Sequence, residues 1–182
     1  REVIGRRLNR LSERCNQTLT MAAVIGRGFE LRQLRPLIED MSEDRVLEVL
    51  EEALSARVIE ELPETVGRYQ FAHALIQETL ADELSLTRRV RLHARIAETL
   101  ESLFGTDAES HAAELAYHFA QARDVLGTEK LIEYSLMAGK RALASYAYEE
   151  ALDQFRRVLD GKGSDQTDAE TAAALFGLGR AQ

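Results

Sequence analysis

The chain has 182 residues, enough for one large domain or two small ones. It carries 31 acidic residues against 23 basic ones, and a net charge of -8 speaks against a general nucleic-acid sleeve. One cysteine, Cys15, excludes an internal disulfide and a thiolate zinc cluster, and fits a reducing compartment. No apolar run approaches the roughly 18 residues of a membrane span. A signal peptide, a G-x-x-x-x-G-K-S/T phosphate loop and a G-x-G-x-x-G turn are absent from the sequence as well. The start at Arg1 and the helical pattern at Gly179-Arg180-Ala181-Gln182 lead us to expect a piece of a longer protein.

Helix formers dominate, with only 2 prolines and 11 glycines, so a mostly helical chain is expected. The first helical pattern runs from Val3 to Val24, with a break near Asn16 or Thr18, and Gly26 and Gly28 end it. Leu31, Leu34, Leu37 and Ile38 mark a short second helix around Pro36. Ser42 is placed to cap a third, whose apolar face is Val46, Leu47, Leu50, Ala53 and Leu54. Residues 58–71 contain the only convincing strand pair, Val58–Leu62 and Arg68–Phe71 around a turn at Pro63–Gly67. A lone ribbon is barely stable, so it must lean on helices. Three helices followed by a ribbon is the order of a winged helix. Helices at 73–84 and 86–103 follow.

After Gly105 the pattern becomes helical hairpins. Thr106-x-x-Glu109 and Thr167-x-x-Glu170 read as capping boxes, and Gly161–Ser164 as a loop. Helices are expected at 129–144 and 147–160, with a tight turn near Ser145. Gly139 and Ala151 are twelve apart, followed by Phe155 and Val158 at four and seven further on. This resembles the tetratricopeptide pattern over 132–160, and Leu178-Gly179 looks like the start of the next unit. The expected fold is therefore mainly α: a winged helix with a small β-hairpin over 1–104, then an antiparallel helical-hairpin, tetratricopeptide-like array over 105–182.

The third helix of a winged helix normally enters the DNA major groove. Here residues 42–57 carry Glu43, Asp44, Glu48, Glu51 and Glu52 against Arg45 and Arg57, so the phosphate backbone would be repelled. Eight arginines among residues 1–35 make the start of the chain basic instead, and a basic edge is expected near Arg6 and Arg7. His111, Glu114 and His118 share a helical face but lack the i,i+4 spacing of a zinc pair, so no metal is expected. Cys15 sits on an apolar face and reads as core. His73 follows the second ribbon strand and opens the next helix. There its imidazole lies beside free backbone N–H groups, a place that can meet a phosphate from another domain.

The string from Arg68 to Leu80, RYQFAHALIQETL, with Asp82-Glu83-Leu84-Ser85 after it, resembles the winged-helix module of signal-transduction ATPases with numerous domains. Leu19–Gly26, Phe29–Leu31, Leu50–Ile59 and Arg88–Ala97 are similar to that module too. The resemblance covers roughly residues 1–104. Bacterial members include large transcriptional regulators related to the maltose-operon activator and ATPase regions joined to cyclases, and tetratricopeptide sensor arrays commonly follow the module. In related apoptotic and plant immune ATPases, a histidine in a Met-His-Asp context touches the β-phosphate of ADP. His73 matches its position, with Ala72 and Ala74 in place of the methionine and aspartate.

The resemblance implies a non-catalytic, cytoplasmic regulatory piece that couples a sensor array to nucleotide state. ATP or ADP with magnesium would be bound by the parent and no cofactor by this piece. Its partners would be the neighbouring ATPase domain and a protein or small-molecule signal, without nucleic acid or membrane. The alternatives are a DNA-binding winged-helix transcriptional regulator and a simple protein-interaction scaffold.

Overall fold

The computed structural model describes residues 5, 7–162 and 168–181. The chain divides into two compact units, Arg1–Thr99 and Leu100–Gln182, with the division inside the long helix Leu86–Phe104. It is mainly α-helical with one small three-stranded antiparallel sheet, an arrangement consistent with a winged-helix-like element. Among the described residues no helix is long and apolar enough to cross a membrane.

In the first unit, α1 spans Glu13–Ile25. The expected continuous pattern from Val3 is broken earlier than Asn16, because Ser12 restarts the helix. Its hydroxyl accepts the Cys15 N–H at 3.2 Å. Ser12 also reaches across to Glu52, its N–H donating at 2.5 Å and its hydroxyl at 2.8 Å. Asn16 donates to the Leu8 carbonyl at 3.0 Å and so secures the preceding turn. Val3 and Arg6 lie outside the described residues.

Strand β1 (Gly28–Glu30) leads into α2 (Leu31–Leu34) and a 3-10 turn at Arg35–Leu37, where Pro36 stops the helix. Helix α3 (Glu43–Ser55) starts at Ser42 as expected and buries Val46, Val49, Leu50 and Ala53, with Leu47 and Leu54 half-buried beside them. It ends with Arg57 in the left-handed region at φ 54°. The Val58 N–H reaches back to the Ala53 carbonyl at 3.0 Å and the Arg57 N–H to Leu54 at 2.9 Å, which closes the last turn.

Strands β2 (Ile59–Glu61) and β3 (Arg68–Phe71) form the expected ribbon, but they are not the whole sheet. The order is β1-β3-β2, with Phe29 opposite Tyr69 and Ile59 opposite Phe71. The expectation of a lone strand pair fails because Phe29 needs burial. Its ring lies 5.7 Å from both Tyr69 and Phe71 and is 1% exposed. At the turn, Gly67 adopts φ 76° and its carbonyl accepts the Leu31 N–H at 2.8 Å. Helices α4 (Ala74–Asp82) and α5 (Leu86–Phe104) complete the unit, with Ile76, Leu80 and Ile96 buried.

In the second unit, the expected capping box at Thr106 is not formed. Residues Gly105–His111 wind as a 3-10 helix, and α6 (Ala112–Gln121) begins after His111 without a side-chain cap. His111 stacks on Phe104 at 3.7 Å between ring centres, which holds this tighter turn. A short α7 (Arg123–Leu126) precedes α8 (Glu129–Ala144), whose bounds match the expectation. Helix α9 (Tyr148–Lys162) runs through Gly161 and Lys162, which the sequence had placed in a loop. The Lys162 ammonium pairs with Asp168 and Glu170, drawing charge to the helix C-terminus. Helix α10 (Ala169–Ala181) is capped by Asp168, whose carboxylate accepts the Thr171 N–H at 2.9 Å. Thr167, Gly163 and Ser164 lie outside the described residues.

Helices α8, α9 and α10 meet at Phe155. A Cβ on Gly139 would lie 2.7 Å from its ring and one on Gly177 2.4 Å, so the ring occupies space that only glycine leaves open. Gly161 faces Ile132 just as Phe155 faces Gly139, so advancing along α9 means retreating along α8; the pair is antiparallel. Gly179, which the sequence marks as the start of a next unit, has open space around it, and Gly177 is the glycine that meets Phe155.

Helix α8 ends like α3. Tyr146 adopts φ 62°, and the Ala147 N–H reaches the Ala142 carbonyl at 2.8 Å. Glycine avoids the Cβ clash of that conformation, so Tyr146→Gly should raise the unfolding free energy by about 1 kcal/mol in urea melts. Gly177→Ala should do the reverse. Alanine gains about 1 kcal/mol of helix propensity, but overpacking against Phe155 costs about 1–3 kcal/mol. In a Phe155→Leu background the Gly177→Ala penalty should shrink; an equal penalty in both backgrounds would refute the steric account.

Candidate functional site

His73 stands where β3 hands the chain to α4. The Ala72 N–H donates to the Val58 carbonyl at 3.0 Å, so the ladder extends one residue past Phe71. His73 is then extended, at φ -140° and ψ 139°, and is the N-cap of a nine-residue helix. Its carbonyl accepts the Ile76 N–H at 3.0 Å. The imidazole makes no capping hydrogen bond, and His73 is exposed together with Ala74 and Leu75. The start of α4 is held from the other side by Gln77, which donates to the Ala23 carbonyl of α1 at 2.6 Å.

An arginine reaches the same end of the sheet. The Phe71 N–H donates to the Arg27 carbonyl at 2.9 Å, which sets Arg27 across from the last residue of β3. Arg27 is exposed too. The chain thus brings Arg27, His73 and the positive end of a helix to one sheet end. Such a group can hold an anion presented from outside. The sequence pointed to His73 but not to Arg27, because the pairing of β1 with β3 is what unites them. Of the basic edge expected at Arg6 and Arg7, Arg7 is half-buried and Arg6 is outside the described residues.

The other histidines are placed differently. His111 turns its two ring nitrogens toward Asp107 at 3.5 Å and Glu114 at 3.7 Å. His118 is fully buried on α6. Among the described residues no group of three or more histidine, cysteine, aspartate or glutamate side chains is arranged to hold a metal ion. Cys15 is fully buried and its thiol faces the Val49 carbonyl at 3.4 Å. Burial, then the charge of Glu52, pushes it up to about 12, so it stays protonated at neutral pH. On α3, Glu43, Asp44, Glu48 and Glu51 are exposed, and Arg45 pairs with Glu48 at 2.6 Å.

A polar cluster that the sequence did not disclose lies in the second unit. The Tyr134 hydroxyl donates to Glu101 at 2.6 Å, and Lys130 pairs with Glu101 and Glu133, each at 3.0 Å. Burial opposes ionisation of Glu101, but the Tyr134 and Lys130 hydrogen bonds win and hold its carboxyl below its ordinary range.

Comparison of the chain with family models, curated proteins and solved structures found no match.

His93, on α5, is 4% exposed, and burial followed by the nearby Arg89 pushes it down to about 4. In the unfolded chain it titrates near 6.5. Between those values the unfolded state binds a proton that the native state rejects. The contribution of His93 to stability is therefore complete above about pH 6.5 and is lost as the pH falls toward 4, a swing of roughly 3 kcal/mol. Urea melts across this range should show stability falling with acidification, and His93→Gln should flatten the slope. A slope of opposite sign would contradict the assignment.

Proposed function

We propose that this chain is a non-catalytic regulatory part of a multidomain, cytoplasmic signal-transduction ATPase, in which it couples a sensor array to nucleotide state. Residues 1–104 would be the end of the lid and the winged helix. Residues 105–182 would begin a tetratricopeptide-like array. The observation that carries the reading is His73, exposed as the N-cap of α4 directly after the central strand, with Arg27 at the same sheet end. A β-phosphate offered by a neighbouring ATPase domain would meet donors there without having to displace a capping hydrogen bond.

The packing of Phe155 against Gly139 and Gly177 supports the second half. Small residues at one helical contact and a large ring at the next are what stacked hairpins use to approach closely. As proposed, the phosphate loop, the magnesium-binding carboxylate and ATP or ADP belong to another part of the parent, and the signal is a protein or small molecule read by the array. The acidic surface of α3 favours this reading over DNA binding, because a helix presenting Glu43, Asp44, Glu48 and Glu51 releases no counterions on a phosphate backbone.

The test is ADP retention by the longer protein with His73 and with His73→Ala, the 182-residue chain alone serving as the control. Losing one charge-assisted hydrogen bond should speed ADP release by roughly 10–100-fold with an unchanged melting temperature. Unchanged retention would remove His73 from the switch and leave a structural bridge to a protein-binding array.

A further inference from the structure

Helices α1 and α5 of the first unit do not close on each other along their whole length. A section of about 590 Å³ opens between them, with Met21, Leu84 and Leu92 as an apolar floor and Arg88, Arg91 and Arg95 along the α5 wall. A second section of about 310 Å³ shares Met21 and Arg95 with the first and continues to Arg14. Together they form one open trough. The three floor residues are only half-buried, so apolar surface remains in contact with water.

The charges along this trough are ordered. Arg88, Arg91 and Arg95 recur at helical spacing, so their guanidinium groups form a row roughly one turn apart. Arg95 is tied down at one end, donating to the Leu37 carbonyl at 3.1 Å and to Glu39 at 2.7 Å. Arg89 points elsewhere and pairs with Asp82 at 3.5 Å. Among the described residues, Arg14, Arg88 and Arg91 make no ion pair or hydrogen bond through their side chains. The carboxylates that line the trough are Glu83 at one end and Glu39 and Asp40 at the other. Its middle is therefore positive in a chain whose net charge is -8.

We infer that the trough between α1 and α5 is a docking site for an acidic amphipathic helix of a protein partner. Carboxylates one turn apart on that helix meet Arg88 and Arg91, and its apolar residues cover Met21, Leu84 and Leu92. A row of cations beside an apolar floor matches a row of carboxylates beside an apolar stripe, because both repeat at the helical period. The end carboxylates set the register by repelling negative charge placed beyond the middle.

The experiment uses the full chain and fluorescein-labelled three-turn peptides built from leucine, alanine and glutamate, read by fluorescence anisotropy. The amphipathic glutamate peptide should bind roughly tenfold tighter than its lysine mirror, and added salt should weaken it. Arg88→Glu with Arg91→Glu should reverse that preference, and Arg88→Gln with Arg91→Gln should abolish it, with the circular dichroism spectrum unchanged. No preference over the lysine mirror would overturn the proposal, as would equal binding of a scrambled glutamate peptide, or a preference that survives both double variants. Two further results would overturn it in favour of another occupant. One is binding of decanoate or phosphatidylserine vesicles without binding of the peptide. The other is self-association of the chain that the double variants abolish.

Discussion

The middle strand of a sheet must satisfy its backbone hydrogen bonds on both edges, and β3 carries that requirement for the first unit. It does so with β1 on one side and β2 on the other, although these belong to distant stretches of chain. Pairing on both edges turns Tyr69 and Phe71 to one face, where Phe29 joins them, and that aromatic face is what the helices cover. It also determines what lies at the strand ends. One end returns through Gly67, which the Leu31 N–H pins in place. The other releases His73 beside Arg27. The candidate site is thus a product of strand order rather than of a local motif.

The second unit rests on a steric constraint instead. The Phe155 ring needs close approach on two sides, and Gly139 and Gly177 supply it at the expense of helix propensity. Its surroundings are apolar: Ile132, Leu136, Ala151, Val158 and Ala174 form the same buried cluster. The polar pin of Tyr134 and Lys130 on Glu101 lies on another part of α8. Helix α8 thereby carries both a close approach of Gly139 to the Phe155 ring and a buried hydroxyl bound to a carboxylate.

What the sequence discloses follows from how local each cause is. The bounds of α8 and β3 and the Ser42 cap depend on neighbouring residues and were legible. Strand β1 is three residues long and its partner lies far along the chain, so no period-two signal could reveal it. The left-handed conformation after α3 and α8 hid for a different reason, although the bounds of α8 did not. Arg57 and Tyr146 occupy the left-handed position that normally betrays itself as glycine. The same habit misread Gly161, which continues α9 because it packs against Ile132. Thr106 resembled a cap, but the stacking of His111 on Phe104 favours the 3-10 turn. At the candidate site, His73 was legible as a residue between a strand and a helix. Arg27 was not, and neither was the trough, since a row of arginines on α5 gains meaning only once α1 faces it.

Helix α1 is common to both surfaces of the first unit. Its C-terminal end passes through Gly26 into Arg27, and its Ala23 carbonyl holds Gln77 at the start of α4. Its outer side supplies Arg14 and Met21 to the trough. At the N-terminal end Ser12 clamps it to Glu52 of α3. Occupation of the trough would therefore act on the same rigid element that positions the sheet end. Two sites are coupled only when a ligand at one has different affinities for two arrangements of what they share. A small shift of α1 is such an arrangement: it would move Ala23 against Gln77 and so move the N-terminus of α4 on which His73 sits. The short Ser12–Glu52 contacts oppose that shift. Any coupling between trough and sheet end must then work against this clamp, which makes the Ser12–Glu52 contact a natural place for its strength to be set.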